Sequence, residues 1–133
     1  MRPLFLALVA AMAAAPMARA QVPNPIDCNR AVELNYCADR EYQKADEALN
    51  DAYRQVLESV KSSQGEPPYD AKSWENELRG AQRAWIAFRD ADCKALTPME
   101  WSGGSGTTLA VLTCMIEATK ARTSALRERY LER

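Results

Sequence analysis

Ala81 to Cys114 reads AQRAWIAFRDADCKALTPMEWSGGSGTTLAVLTC, and this stretch decides the fold. Apolar residues before Cys93 recur at threes and fours, as one face of a helix requires, and they do so again after Gly106. Between them, Leu96 to Gly106 holds Pro98 and three glycines and is predicted to be a loop. A cysteine on either side of that loop can tie the two helices into a hairpin. Upstream, the second helix carries Trp74, Leu78, Ala81, Trp85, Phe88 and Ala91 inward and starts near Asp70 or Ser73, either of which can cap it. Downstream, Thr107 or Ser105 can cap the third helix, whose stripe is Leu109, Leu112, Ile116, Thr119, Thr123, Leu126 and Tyr130.

A first long helix precedes this hairpin. From Tyr42 its inward positions run Ala45, Leu49, Ala52 or Tyr53, Val56 and Val60. It ends near Lys61, because Ser62-Ser63-Gln64-Gly65-Glu66-Pro67-Pro68 joins a glycine stop to two prolines that cannot continue it. Three amphipathic helices cannot bury their stripes singly. The fold class is therefore all-α, an antiparallel up-down-up three-helix bundle with a short N-terminal helical segment.

The chain opens as an export signal. Arg2 is the positive region, Leu4 to Ala15 an apolar run of about twelve residues, and Ala18-Arg19-Ala20 a small-x-small cleavage site. The run is short of the roughly 20 residues that span a bilayer, so residues 1–20 read as a signal peptide and 21–133 as one domain, periplasmic or secreted. Gln21 to Asp27, with two prolines, reads as a flexible leader. Removing residues 1–20 takes away Arg2 and Arg19, which leaves 15 Lys plus Arg against 18 Asp plus Glu, a formal charge of −3. Nucleic acid and anionic membranes need a clustered positive field that this chain lacks. A basic protein partner suits it better.

Four cysteines in an exported chain of this size read as two disulfides. Of the three pairings they allow, Cys28 with Cys37 and Cys93 with Cys114 is favoured, since the second closes the hairpin and the first a short local loop. The first pairing makes a demand. Nine residues of unbroken helix span about 13 Å, whereas disulfide-linked α-carbons lie within about 7 Å, so the helix must break or begin between Cys28 and Cys37. A zinc site is disfavoured, because the spacings lack a tight C-x2-4-C and the chain has no histidine.

The same absence of histidine removes the commonest general base, and oxidised cysteines offer no thiol nucleophile. Asp90 and Asp92, or Asp46 and Glu47, are too close in sequence to face each other across a substrate. The chain reads as a non-enzyme with no cofactor. Gly103-Gly104-Ser105-Gly106 before a helix can in principle cradle an anion, but it lacks the lysine and preceding strand of a phosphate loop.

Two groups of residues stand out as candidates. Asp46, Asn50 and Tyr53 share one helical face, and so do Gln82, Trp85 and Arg89. Where these faces meet, Asp46 is placed to accept from Arg89 or Arg122 while Asn50 and Gln82 bridge backbone groups, a polar layer that fixes register. Trp74, Trp85 and Phe88 read as core. The partner-binding candidate is the loop around Met99, Glu100, Trp101, Gly103, Gly104 and Ser105, where Met99 and Trp101 are anchors on a tied loop. The competing reading folds Trp101 back onto the bundle end as a lid.

Gln82-Arg83-x-Trp85-Ile86-x-x-Arg89-Asp90-x-x-Cys93, then Gly103-Gly104-Ser105 and Cys114, resembles the LprI-like family of small secreted bacterial domains. Asp46-x-x-Leu49-Asn50-x-x-Tyr53 and Thr119-x-x-Arg122-x-x-x-Leu126 resemble further elements of the same family. The resemblance spans nearly the whole mature chain. It implies lysozyme inhibition as the activity and a lysozyme as the protein partner. Some relatives are lipoproteins, but Gln21 stands where a lipid-bearing cysteine would be. The alternative is a structural or stress-related periplasmic interaction module with another partner.

Overall fold

The first long helix ends at the residue the sequence predicts, Lys61, ahead of Gly65, Pro67 and Pro68. Helix α1 spans Leu34–Lys61 and stops at Ser62, whose N–H turns back to the Val60 carbonyl. Its inward face is Ala45, Leu49, Ala52, Val56 and Val60, all buried. The computed structural model describes residues 26–132. The expected export signal, its expected cleavage site and most of the expected leader lie outside these residues.

Helix α1 begins eight residues before the predicted start at Tyr42. Its first turns carry Leu34 and Tyr36 exposed to solvent, so no inward stripe betrays them. A single 3₁₀ turn, Ala31–Glu33, leads into it. The helix thus begins between the first two cysteines, as their pairing requires, and the Cys28 and Cys37 α-carbons lie 5.8 Å apart in a disulfide.

Helix α2 spans Ala71–Ala91 and is capped by Asp70, which is extended and accepts the Ser73 N–H at 2.7 Å. It runs antiparallel to α1, bringing Leu78 into one core with Leu49, Val56, Val60 and Leu126. Only two of the six positions predicted for the α2 stripe turn inward. Leu78 is buried and Trp85 half-buried, but Trp74, Ala81 and Ala91 are exposed, and Phe88 is 66% exposed. The inward positions are Leu78, Gln82 and Arg89. Steps of three and four admit two neighbouring stripes, and here the more polar one faces in.

The predicted loop after Cys93 is largely helical. A π-helical turn, Asp92–Leu96, passes into the short helix α3, Thr97–Glu100. Pro98 follows directly on the π-helical turn, where the hydrogen-bond register shifts and its missing N–H is accommodated without ending the helical passage. Helix α4 spans Thr107–Tyr130 and lies alongside α1 in the same direction, joined to it at the surface by Lys120 to Glu41 at 2.8 Å. Neither Thr107 nor Ser105 caps it; Gly106 holds the cap position without a side-chain bond. Its buried residues are Met115, Thr119, Thr123 and Leu126. Met115 was not on the predicted stripe, of which Leu109, Leu112, Ile116 and Tyr130 are only half-buried.

Different forces hold the two ends of the bundle. The apolar core fills the end where α1 stops, each fully buried side chain contributing about 1.5–3 kcal/mol. Toward the other end the interior turns polar at Gln82, Arg89, Thr119 and Thr123. There the Cys93–Cys114 disulfide, α-carbons 5.5 Å apart, joins α2's extension to α4. No helix among the described residues is long and apolar enough to cross a membrane.

Candidate functional site

The disulfide end carries the partner-binding candidates. Beyond α3 the chain reverses through Ser102 and Gly103, whose φ values of 50° and 66° are left-handed; glycine adopts this freely and serine at a cost. The turn is closed by its own backbone. Ser102 N–H donates to Met99, Gly103 to Pro98, Gly104 to Trp101 and Thr107 to Gly104, all at 3.0–3.1 Å. Of the glycine run's amides, those of Gly103 and Gly104 are thus engaged within the turn.

Met99 is 76% exposed and Trp101 52% exposed, with Glu100, Gly103, Gly104 and Ser105 also exposed. Trp101 combines both predicted postures. Its ring lies so close over Gly106 that a Cβ there would fall 2.6 Å from Cζ3, yet half its surface faces water. The ring walls a cleft of about 610 Å³ between α3 and the first turns of α4, which Asp92, Glu100 and Glu117 also line. None of these three carboxylates makes a salt bridge among the described residues. Of these three, the sequence points to Glu100 as a partner-binding candidate and to Asp92 only as a neighbour of Asp90, and it does not single out Glu117. Glu117 follows Thr113 by one helical turn on the cleft side of α4, a signal visible only once the cleft is known.

Asp92 also gathers with Cys93 and Cys114 within 4.8 Å. Both sulfurs are joined in the disulfide, so neither has a thiolate to offer a metal.

The second group of candidates meets between the helices. Arg89, 6% exposed, reaches from α2 to Thr119 Oγ1 on α4 at 3.2 Å and stands 3.7 Å from Asp46 on α1. Its Nε and Nη2 donate to its neighbour Asp90 at 3.0 and 2.9 Å. The Trp85 ring takes two guanidiniums, Arg89 at 5.1 Å and Arg122 at 5.7 Å from its centroid, within the range of cation–π attraction. Arg122 Nε donates to Gln82 Oε1 at 3.0 Å. Three details differ from expectation. Gln82 bridges to a side chain rather than to backbone, and Asn50 donates to Asp46 at 2.9 Å at the surface. Tyr53 packs against the apolar core instead.

This polar group shapes its own acidity. Burial pushes the Asp90 carboxyl up, yet hydrogen bonds from Lys94 and Arg89, with the charges behind them, bring it below the usual aspartate range. Burial pushes the Arg122 guanidinium down, and the like charge of Arg129 acts the same way.

Two comparisons bear on the site. The family described as "Lysozyme inhibitor LprI" matches residues 25–126. An uncharacterized protein of Rhizobium meliloti (strain 1021) is 39% identical over 117 residues, covering 84% of this chain and 83% of its own. No solved structure matches.

Proposed function

Since the chain belongs to the family described as lysozyme inhibitor LprI, we propose that it is an exported envelope protein that binds a lysozyme and blocks it by occlusion, without chemistry of its own. The observation that carries this reading is the family match across residues 25–126, which includes the turn after α3 and both cysteines that flank it. The binding element is the turn. Met99 and Trp101 are exposed apolar anchors, a disulfide joins its base to α4, and an already ordered loop forfeits little conformational freedom on binding. Glu100 then lies in or over the enzyme's sugar-binding cleft. The unpaired carboxylates around Trp101 suit a basic partner electrostatically, and the formal charge of the exported chain agrees.

The test is co-elution with a c-type lysozyme on size exclusion, for the oxidised protein and for a variant with Met99→Ser, Glu100→Ala and Trp101→Ser. Complex formation by the first and its loss in the second, with helical circular dichroism unchanged, is expected. An equally stable complex with the variant removes the turn from the interface. A stable complex with some other envelope protein, and none with lysozyme, would instead favour the interaction-module reading.

A further inference from the structure

At the opposite end of α4 from the Trp101 turn, α2 and α4 leave a cleft of about 350 Å³ that the inhibition reading does not use. The centres of the two sites lie about four helical turns apart along α4, on the order of 20 Å at the helical rise. Trp74 and Tyr130 wall this cleft, meeting edge to face with centroids 6.4 Å apart at 67°, and Leu78 and Leu126 contribute its apolar part. Its charged lining is Arg122, Arg129 and Glu77.

The two arginines carry the argument. Arg122 has engaged Nε on Gln82, and its terminal nitrogens have no hydrogen-bond partner among the described residues. Arg129 lies with its guanidinium carbon 5.2 Å from the Tyr130 ring centroid. Neither forms a salt bridge among the described residues, although Glu77 lines the same cleft. Two like charges in a half-enclosed space, neither of them paired with Glu77, are unfavourable; burial and Arg129 weigh on the charge of Arg122, while Tyr130 and Tyr53 act the other way. An anion held between them reverses that cost, and guanidinium forks suit the planar carboxylate best. The remaining lining selects what carries the carboxylate. A half-exposed indole beside an acceptor carboxylate matches a sugar ring, which offers an apolar C–H face and hydroxyl donors. The volume, near the lower end for ligand sites, admits one monosaccharide.

We propose that this cleft binds a carboxylated sugar, with its carboxylate between Arg122 and Arg129, its ring against Trp74 and its hydroxyls donating to Glu77. Such a site would hold the protein on a wall polymer whose sugars bear carboxylates, independently of any lysozyme.

The test is titration of the oxidised protein, followed by amide and indole NMR shifts, with N-acetylmuramic acid, N-acetylglucosamine and lactate. The first two share a ring and differ in the lactyl carboxylate; lactate is that carboxylate without the ring. N-acetylmuramic acid should bind about tenfold or more tightly than either and shift the Trp74 indole. Arg129→Gln, at an exposed position, should abolish the difference between the two sugars while leaving the urea midpoint unchanged, and Arg127→Gln should preserve it. Equal binding of the two sugars, or an unaltered preference in Arg129→Gln, overturns the anion clamp. Lactate binding as tightly as the sugar acid overturns the assignment to a sugar.

Discussion

Arg89→Ala should cost about 3 kcal/mol of folding stability, and the contacts say why. The change strands Thr119 Oγ1 on a side chain that is fully buried, worth about 1–3 kcal/mol. It also removes a guanidinium from the Trp85 ring, worth about 0.5–2 kcal/mol, and leaves a cavity. The ion pairs add less than their number suggests. Asp46 and Asp90 have side chains 41% and 35% exposed, so water rehydrates them and each pair contributes about 0–1 kcal/mol. Arg89→Met, which keeps the volume, should cost about half as much. The assay is urea unfolding of the oxidised protein followed by circular dichroism. In double-mutant cycles, Arg89 should couple to Thr119 by about 1 kcal/mol and to Asp46 by less. A cost below about 1 kcal/mol for Arg89→Ala, or stronger coupling to Asp46 than to Thr119, refutes the reasoning.

Replacing Cys93 and Cys114 together by Ala should lower stability by about 3 kcal/mol on the loop-entropy argument, and replacing Cys28 and Cys37 by slightly less, since the closed loop is shorter; urea midpoints order the two. Gly106→Ala should swing Trp101 outward, because the new Cβ meets the ring at 2.6 Å while half the ring is free to move; a red-shifted Trp101 emission, measured with Trp74 and Trp85 replaced by Phe, checks this. Asp90, whose carboxyl is held below the usual range in the folded chain, adds stability that is present above the ordinary aspartate value of about 4 and is lost as pH falls through its lowered folded value. Asp90→Asn should therefore flatten the acid limb of the stability profile by a few tenths of a kcal/mol, the exposed side chain screening most of the effect; an unchanged limb would place the titration elsewhere.

Much of the fold was legible in the sequence because its punctuation is strong. The run from Gly65 to Pro68 marks the break that follows α1, Asp70 caps α2, and the cysteines select their partners by the loops they close. The apolar face of α1 could be read residue by residue, since its inward positions are uniformly apolar. The face of α2 could not. Phe88 is the larger hydrophobe but points to solvent, while Arg89 beside it is buried through bonds to Thr119 and Asp90 that only the assembled helices supply. The early start of α1 left no trace because an exposed helix needs no stripe. The helical passage from Asp92 to Glu100 was hidden by Pro98 and the following glycines. Glu100 and Trp101 could be marked as candidates from the loop's composition, whereas Asp92 and Glu117 join them at the cleft only through the π-helical turn and the disulfide.

The central claim is inhibition of lysozyme by the disulfide-held bundle. The most direct measurement is the rate at which a c-type lysozyme clears a cell-wall suspension while the oxidised mature protein is titrated in, with a reduced sample alongside. The account predicts dose-dependent inhibition by the oxidised protein that disappears on reduction. Unaltered clearing at a large molar excess of oxidised, folded protein would contradict it.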